Sequence, residues 1–234
     1  MDNLTIILKV EERLNKLSSN DYDNILKWQI VEAFNKGVID WCRRQLHGTN
    51  LKQTGDEQSK RRIDDLQVLL RDHPLDMEKK DGYYGSTNWP ENYLEYKRVS
   101  IVGKTECCEA KKGWVLTLVE EANIDVILND TLKKPNFNWR HTVVTLMNNV
   151  VKVWTNDEFE VPKATLTYYK QPRRIEIQGV SNPYTGIIST ADVISEFKDD
   201  IVEIYIDECV KILSGDIESM SSEQIADKSV ESNN

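Results

Sequence analysis

The hydrophobic pattern changes along the chain, from helical spacing at both ends to strand-like runs in the middle. Apolar residues recur at every third or fourth position in 4–17, 22–46 and 57–71, which predicts three N-terminal helices. The same spacing in 189–214 predicts a C-terminal helix, and its first residues resemble a capping box. The N-terminal and C-terminal helices are therefore expected to pack together as a bundle.

The middle of the chain has the residue composition of β-structure. Residues 75–92 hold glycine, proline, asparagine and aspartate with few aliphatic residues, which predicts a long loop. Short runs of β-branched and aromatic residues follow, and a short helical or irregular segment is expected at 124–128. The predicted strands are 93–102, 105–109, 114–120, 140–146, 150–155 and 164–169, with turn signals at 147–149 and 156–157.

These segments predict an α+β fold in which a helical bundle carries an inserted β-rich subdomain and an acidic C-terminal tail. Residues 1–74 supply the N-terminal part of the bundle, and residues 75–188 form the β-rich insertion. Residues 189–214 complete the bundle as its last helix, and residues 215–234 form the tail. A chain of 234 residues is long enough for one large domain or two small ones.

The second predicted helix, 22–46, is apolar over more than half of its circumference. A helix of this kind is buried among several others or lies in an oligomer interface. Tryptophans and branched residues dominate this wide face, and tryptophan often anchors subunit contacts. The candidate bundle or oligomer interface comprises Trp28, Val31, Ile39 and Trp41.

The tail from residue 216 is too polar to fold alone. It holds five acidic residues, one lysine and no aromatic residue. Such a composition is typical of a segment that becomes ordered only on a partner. The candidate partner-bound positions are Asp216, Ile217, Met220 and Ile225.

Net charge narrows the functional classes. The formal net charge is −9, whereas a dedicated nucleic-acid binder carries excess lysine and arginine to neutralise phosphate. The first residues show neither a basic region nor a long apolar run, so no secretory signal is expected. No apolar run is long enough to span a membrane, so no membrane partner is expected.

The chain shows no signature of enzyme chemistry. Cys42, Cys107, Cys108 and Cys209 lack zinc spacing with one another and with the three histidines, so no metal site is predicted. Residues 101–105 resemble the end of a phosphate-binding loop, but position 98 is arginine where that loop needs glycine. A hairpin turn at Gly103 is the simpler interpretation. No catalytic residue and no cofactor are predicted.

Lys170, Arg173 and Arg174 form the most basic cluster near the end of the last predicted strand. Pro172 lacks a backbone donor, which places it at a strand end or a sheet edge. In a chain of net negative charge, acidic groups of an adjacent subunit are the favoured partners of these cations. DNA in a channel is the second possibility, and a nucleic-acid-binding module using residues 170–174 is the alternative function.

The order of several segments resembles the head–tail adaptor, or connector, ring proteins of tailed bacteriophages, especially of crAss-like and other short-tailed phages. The segments span about residues 20–214 and are packing and turn patterns rather than chemical signatures. They are 28–36 (WQIVEAFNK), 41–46 (WCRRQL), 124–130 (IDVILND) with Pro135 and Trp139-Arg140, 166–175 (LTYYKQPRRI) and 196–213 (EFKDDIVEIYIDECVKIL).

The resemblance implies a non-enzymatic virion structural protein that forms a homo-oligomeric ring, commonly a dodecamer, at the head–tail interface. Such a ring binds the portal protein and neighbouring tail ring proteins, and packaged DNA passes through it in transient contact. The protein is expected to be made in the host cytoplasm and to reside in the virion. An acidic lumen suits a DNA conduit, because it repels phosphate and avoids trapping DNA in transit.

Overall fold

The computed structural model describes residues 1–17, 25–47, 64–105, 108–184 and 186–216. The chain divides into two compact units. One unit is discontinuous and combines residues 1–68 with 172–234, and the other is residues 69–171. We refer to them as the helical unit and the β unit.

The helices and strands have the following bounds. The α-helices are α1 (Asn3–Leu17), α2 (Lys27–His47), α3 (Ile124–Asn129) and α4 (Asp199–Asp216), and short 3-10 turns lie at Gln67–Leu69 and Glu121–Asn123. The strands are β1 (Leu70–Leu75), β2 (Met77–Lys80), β3 (Tyr83–Ser86), β4 (Tyr93–Thr105), β5 (Cys108–Val115), β6 (Thr117–Leu118), β7 (Val143–Met147), β8 (Val150–Trp154) and β9 (Glu160–Lys170).

The helical unit is organised around α4, which packs against both α1 and α2. Tyr205, in the middle of α4, is fully buried. The ring of Tyr205 makes T-shaped, edge-to-face contacts with the rings of Phe34 and Trp41 on α2, with centroids 6.0 and 5.3 Å apart. Because aromatic pairs in this geometry add to the free energy of area burial, this cluster is the centre of the helical core.

Acidic residues of α4 are matched by cations on its two neighbours. On α1, Lys9 pairs with Glu203, and Arg13 pairs with Glu203 and Asp207. On α2, Arg44 pairs with Glu208, which is only 4% exposed. These pairs explain how a helix with this many carboxylates can occupy the centre of the unit, because a buried charge needs a paired and hydrogen-bonded partner.

The β unit consists of two sheets that share one core. The first sheet has the strand order β1-β9-β4-β5, and the second has the order β2-β3-β8-β7-β6. Neighbouring strands are antiparallel except for β6 and β7, which are parallel. Val99 and Leu166 of the first sheet and Val144 and Val151 of the second belong to one buried cluster. The arrangement is therefore a sandwich of two sheets.

The predicted bundle with three N-terminal helices is wrong. Of the predicted helix 57–71, residues 57–63 lie outside the described residues, and the rest is a short helical turn that runs into strand β1. Leu70 pairs with Tyr169 of β9, so the sheet overrides the local helical spacing. The described residues form nine strands in two sheets, and the helical unit holds α1, α2 and α4.

Three further predictions need correction. The predicted loop 75–92 contains strands β2 and β3, joined by a tight turn in which Gly82 has φ of 76°. Gly103 lies inside strand β4 rather than at a hairpin turn. The last helix begins at Asp199 instead of 189, because Asp192 accepts the backbone N–H of Gln178 and does not cap a helix.

A candidate partner-contact surface

The segment 172–198, which joins β9 to α4, has no helix or strand among its described residues. We call it the connection. Its backbone groups need partners, because irregular backbone has no regular hydrogen-bond ladder. Side chains of α1 and α2 supply several of these partners, and the connection is thereby fixed to the helical unit.

Asn35 on α2 holds the connection at Ile175. Its side-chain amide donates to the Ile175 carbonyl oxygen at 3.2 Å, and its amide oxygen accepts the Ile175 N–H at 2.8 Å. Both residues are buried, at 5% and 2% exposure. The asparagine side chain therefore replaces a strand neighbour, because it offers one donor and one acceptor as a backbone does.

Glu32, one helical turn before Asn35, accepts hydrogen bonds from two further side chains of the connection. Its two carboxylate oxygens accept from the Arg174 guanidinium at 2.8 and 2.9 Å. One of them also accepts from the side-chain amide of Asn182 at 2.7 Å. Since hydrogen bonds between ionised groups are the strong ones, Glu32 fixes both ends of this part of the connection.

Asn3 at the start of α1 fixes the other side. Its amide donates to the carbonyl oxygens of Glu176 and Val193, at 2.7 and 3.1 Å. Glu176 and Val193 also pair with each other through their backbones, at 3.1 and 2.9 Å. Asn3 thus closes the base of the connection into a loop whose stem is hydrogen-bonded.

Above this stem lies a stretch that carries no charge. Residues 180–190 contain neither acidic nor basic side chains, and we call them the display loop. Ser181 and Ile188 form a bridge across it, and Gly186 takes a φ of 67°, which favours glycine. Tyr184, Ile187 and Ile188 are 82%, 67% and 59% exposed. A folded loop therefore presents apolar side chains to solvent.

An open groove of about 430 Å³ runs between α2 and the display loop. Trp28 and Val31 line one side, and Val180, Tyr184 and Ile187 line the other. The Trp28 and Tyr184 rings make a T-shaped, edge-to-face contact, with centroids 5.6 Å apart. Glu32, Arg174 and Glu176 also line the groove, so apolar and charged side chains share it. We call the groove and the display loop together the contact surface.

The structure brings together only some of the residues that the sequence singled out. Trp28, Val31 and Arg174 lie at the contact surface. Trp41, in contrast, is 2% exposed and belongs to the core around Tyr205. Ile39 is half-buried. Asp216 ends α4, whereas Ile217, Met220 and Ile225 lie outside the described residues.

The basic cluster is divided between the two units. Lys170 ends β9 in the β unit, and the helical unit resumes at Pro172. Arg174 pairs with Glu32 of the same chain, and the Arg173 N–H donates to Glu196 at 2.8 Å. The Arg174 charge is therefore compensated within the chain, whereas Arg173 makes its contact with Glu196 through the backbone N–H.

The display loop itself was missed by the sequence reasoning. The sequence does mark the loop, because residues 180–190 are eleven consecutive uncharged residues in a chain in which 29% are charged. The helix predicted for 189–214, however, included the last two residues of the loop. Asn3, Glu32 and Asn35 were also missed, because a polar side chain on a helix is ordinarily solvated.

Cys42 and Cys209, the two free thiols among the described side chains, are both buried. Burial raises the pKa of Cys42 to about 12, despite a hydrogen bond with Tyr205. Burial also raises the pKa of Cys209, which is fully buried. Within the described residues no cluster of histidine, cysteine, aspartate or glutamate could hold a metal ion. None of the helices in that part of the chain is long and apolar enough to cross a membrane.

No protein-family model matches the chain, and no curated protein is significantly similar to it.

Proposed function

We propose that this protein is a non-enzymatic structural subunit of a bacteriophage virion, a head–tail adaptor that forms a ring between portal and tail through which DNA passes. The resemblance of residues 20–214 to such proteins motivates the specific identity. The observation that carries the proposal is the contact surface, in which hydrogen bonds hold a charge-free loop so that Tyr184, Ile187 and Ile188 stay exposed.

An exposed apolar surface of this kind is costly for a protein that remains alone. Monomeric proteins rarely keep contiguous apolar patches exposed, and larger patches mark interaction sites. A flexible loop could bury its isoleucines against its own chain, but Asn3, Glu32 and Asn35 hold this one in place. The contact surface is therefore suited to a protein partner, and in the proposed ring that partner belongs to the head–tail interface.

The charge of the chain agrees with the same role. A net charge of −9 suits the wall of a DNA conduit, which must not retain phosphate during transit. In the infected cell the protein is made in the host cytoplasm and then joins the virion. Its partners are further copies of itself, the portal protein and the next tail ring.

The test is the assembly state of the full chain. We expect native mass spectrometry and negative-stain electron microscopy to detect closed rings, either of the purified protein or after addition of the portal protein of the same phage. A portal protein from an unrelated phage is the matched control and is expected to recruit no ring. A strict monomer with both portals overturns the proposed function.

A further inference from the structure

The acidic charge of the chain is concentrated outside the β unit. Residues 69–171 hold 14 lysines and arginines against 15 acidic residues, so the rest of the chain accounts for −8 of the net charge of −9. Within the β unit, residues 131–156 contain no aspartate or glutamate. The cations of this stretch are Lys133, Lys134, Arg140 and Lys152. A chain of acidic total charge therefore carries a locally basic stretch, to which anions are attracted.

A turn within this stretch displays a tryptophan. Asn136 and His141 exchange both backbone hydrogen bonds, at 2.7 and 3.0 Å. The side-chain oxygen of Asn136 also accepts the backbone N–H groups of Asn138 and Trp139, at 2.9 and 3.0 Å. Asparagine commonly closes a turn in this way. We call residues 136–141 the Trp139 turn, and it is a folded element with its own hydrogen bonds.

The two aromatic residues of the Trp139 turn lie in opposite environments. Phe137 is 8% exposed and packs with Trp114 and Phe159, which fixes the turn to the core of the β unit. Trp139 is 67% exposed. The other five tryptophans of the chain are buried or half-buried. Trp139 thus presents a large flat ring to solvent from a turn that is anchored in the core.

Three cations without an ion pair to a described carboxylate lie at or beside the Trp139 turn. Arg140 is exposed and follows Trp139 directly, with a left-handed φ of 53°. Lys134 lies two residues before the turn, and Lys112 Nζ lies 4.6 Å from the centroid of the Phe137 ring. Because strained backbone conformations cluster at binding sites, the conformation of Arg140 also points to a ligand at this turn.

The carboxylates that border the basic stretch are largely compensated. At its start, Asp130 pairs with Lys133 at 3.6 Å. At its end, Asp157 pairs with Lys79 at 3.5 Å. The next residue, Glu158, is exposed and forms no ion pair with a described cation. Between Asp130 and Glu158, the cations at the turn therefore outnumber the uncompensated carboxylates.

The strands that carry Lys112 and Phe159 add further positive charge. In the register of β9, β4 and β5, Glu160 lies opposite Lys104, and Lys104 lies opposite Lys111. This cross-strand row has a net charge of +1. Like charges directly opposite one another destabilise a sheet, so a bound anion beside Lys104 and Lys111 is stabilising.

We propose that the Trp139 turn binds single-stranded nucleic acid, with a base stacked on the Trp139 ring and phosphates beside Arg140, Lys134 and Lys112. Single-strand binders combine a cationic surface with exposed aromatic side chains, and stacking tolerates every base. A duplex keeps its bases stacked on one another, so it offers no base to a lone tryptophan. The inference goes beyond the proposed conduit for packaged DNA and depends on the β unit alone.

The first test measures the affinity of the full chain for a fluorescent oligothymidylate of about 12 nucleotides by anisotropy, in about 50 mM salt. We expect Trp139→Ala to raise Kd by about tenfold or more, because it removes the stacking surface. Tyr184→Ala is the matched control, since Tyr184 is an 82% exposed aromatic residue of the uncharged display loop. Its Kd is expected to equal that of the wild type. Circular dichroism checks that both variants remain folded.

The second test uses the salt dependence of binding. Each phosphate contact contributes about 0.7 to the slope of log K against log salt for a single strand. We expect Lys134→Gln and Arg140→Gln each to lower that slope by about this amount. Lys97→Gln changes another exposed cation of the β unit, on β4, and is expected to keep the wild-type slope.

The third test distinguishes stacking from a merely structural role of Trp139. A base stacked on the ring quenches its fluorescence. We expect the wild type to lose part of its tryptophan fluorescence on binding the strand. Trp139→Phe retains an aromatic surface, so we expect it to bind the strand more tightly than Trp139→Ala does and to lose this quenching.

The outcomes decide the inference without deciding the proposed ring. Binding of oligothymidylate, oligouridylate or both supports it, and binding of neither overturns it. Equal or tighter binding to a duplex of the same length overturns it, as does binding to phosphatidylserine vesicles in place of strands. A wild-type Kd in Trp139→Ala, or an equal loss in Tyr184→Ala, also overturns it. A protein that forms rings without binding strands keeps the proposed function, and a monomer that binds strands keeps only this inference.

Discussion

At the scale of single residues, Asn35 satisfies both backbone groups of Ile175 with one side chain. Asn35→Ala leaves a buried N–H and a buried carbonyl oxygen without these partners. We expect the free energy of unfolding of the helical unit to fall by about 2–4 kcal/mol, because each unsatisfied buried group costs about 1–3 kcal/mol. Urea denaturation followed by circular dichroism measures the loss.

Asn15→Ala is the matched control for that substitution. Asn15 lies on the exposed face of α1, where alanine has the better helix propensity. We expect no loss of stability in this variant. Equal stability of the Asn35→Ala and Asn15→Ala proteins would show that the connection does not depend on Asn35.

Gly103 is a second residue whose role is set by its neighbours. A Cβ atom there meets the far edge of the Trp114 ring at 2.5 Å and the Phe159 ring at 3.3 Å. Trp114 cannot turn aside easily, since it packs between Phe137 and Phe159 with centroids 6.0 and 5.4 Å away. We expect Gly103→Ala to destabilise the β unit by about 1–3 kcal/mol, the usual cost of overpacking.

The neighbouring strand offers the control for Gly103. Gly113 of β5 pairs with Val102 of β4, and a Cβ atom on Gly113 meets only the Ile101 carbonyl oxygen, at 3.7 Å. Gly113→Ala is expected to keep the wild-type unfolding midpoint. Thermal melts followed by tryptophan fluorescence compare the unfolding midpoints of the two variants. Identical midpoints would contradict the packing argument.

At the scale of elements, α2 and α4 are joined by an ion pair in which the acidic partner is more deeply buried than the basic one. Glu208 is 4% exposed and pairs with Arg44, while the adjacent Arg43 is exposed. Removing one partner of a buried pair leaves an uncompensated charge, which costs about 3–5 kcal/mol. We expect Arg44→Met to lower the free energy of unfolding by about that amount.

Arg43→Met makes the same chemical change one residue away. We expect it to stay within about 0.5 kcal/mol of the wild type, as exposed substitutions usually do. Guanidinium chloride screens charge, so urea titration is the appropriate measurement. Similar losses in the two variants would mean that the arginines act through the helix dipole.

The sequence predicted helices and strands correctly where the residues that determine the structure are close together in the chain. Runs of β-branched and aromatic residues predict strands at 140–146 and 150–155, where β7 and β8 lie, with a turn signal at 147–149. Asn148 and Asn149 take positive φ values of 52° and 60° in that turn. Strand β1 was missed because its pairing partner, β9, lies about a hundred residues away. Helical spacing in a short apolar run cannot reveal such a partner.

The same limit applies to the contact surface. Trp28 and Val31 stood out from their helical stripe, and Arg174 stood out from its charge. What joins them is Glu32 and Asn35, whose partners are about 140 residues away in the chain. A polar residue on a helix gives no local sign that it holds a distant backbone, so the sequence could supply the surface residues without their arrangement.

At the scale of the whole molecule, the β unit is one continuous piece of chain, whereas the helical unit is interrupted by it. The core of the β unit draws on residues from Leu75 to Tyr168 and on both sheets. A continuous segment with its own core can in principle fold alone. The helical unit needs α4, which follows the β unit in the chain, to cover Phe34 and Trp41.

This organisation predicts different behaviour of two fragments. Residues 69–171 expressed alone are expected to unfold in one cooperative thermal transition, because that fragment retains the whole cluster around Val99, Val144 and Leu166. Residues 1–68 expressed alone are expected to lack a cooperative transition, since the aromatic face that receives Tyr205 is left exposed. Calorimetry and amide proton dispersion measure both fragments. A non-cooperative β fragment, or a cooperatively folded 1–68, would contradict the division of the chain into these two units.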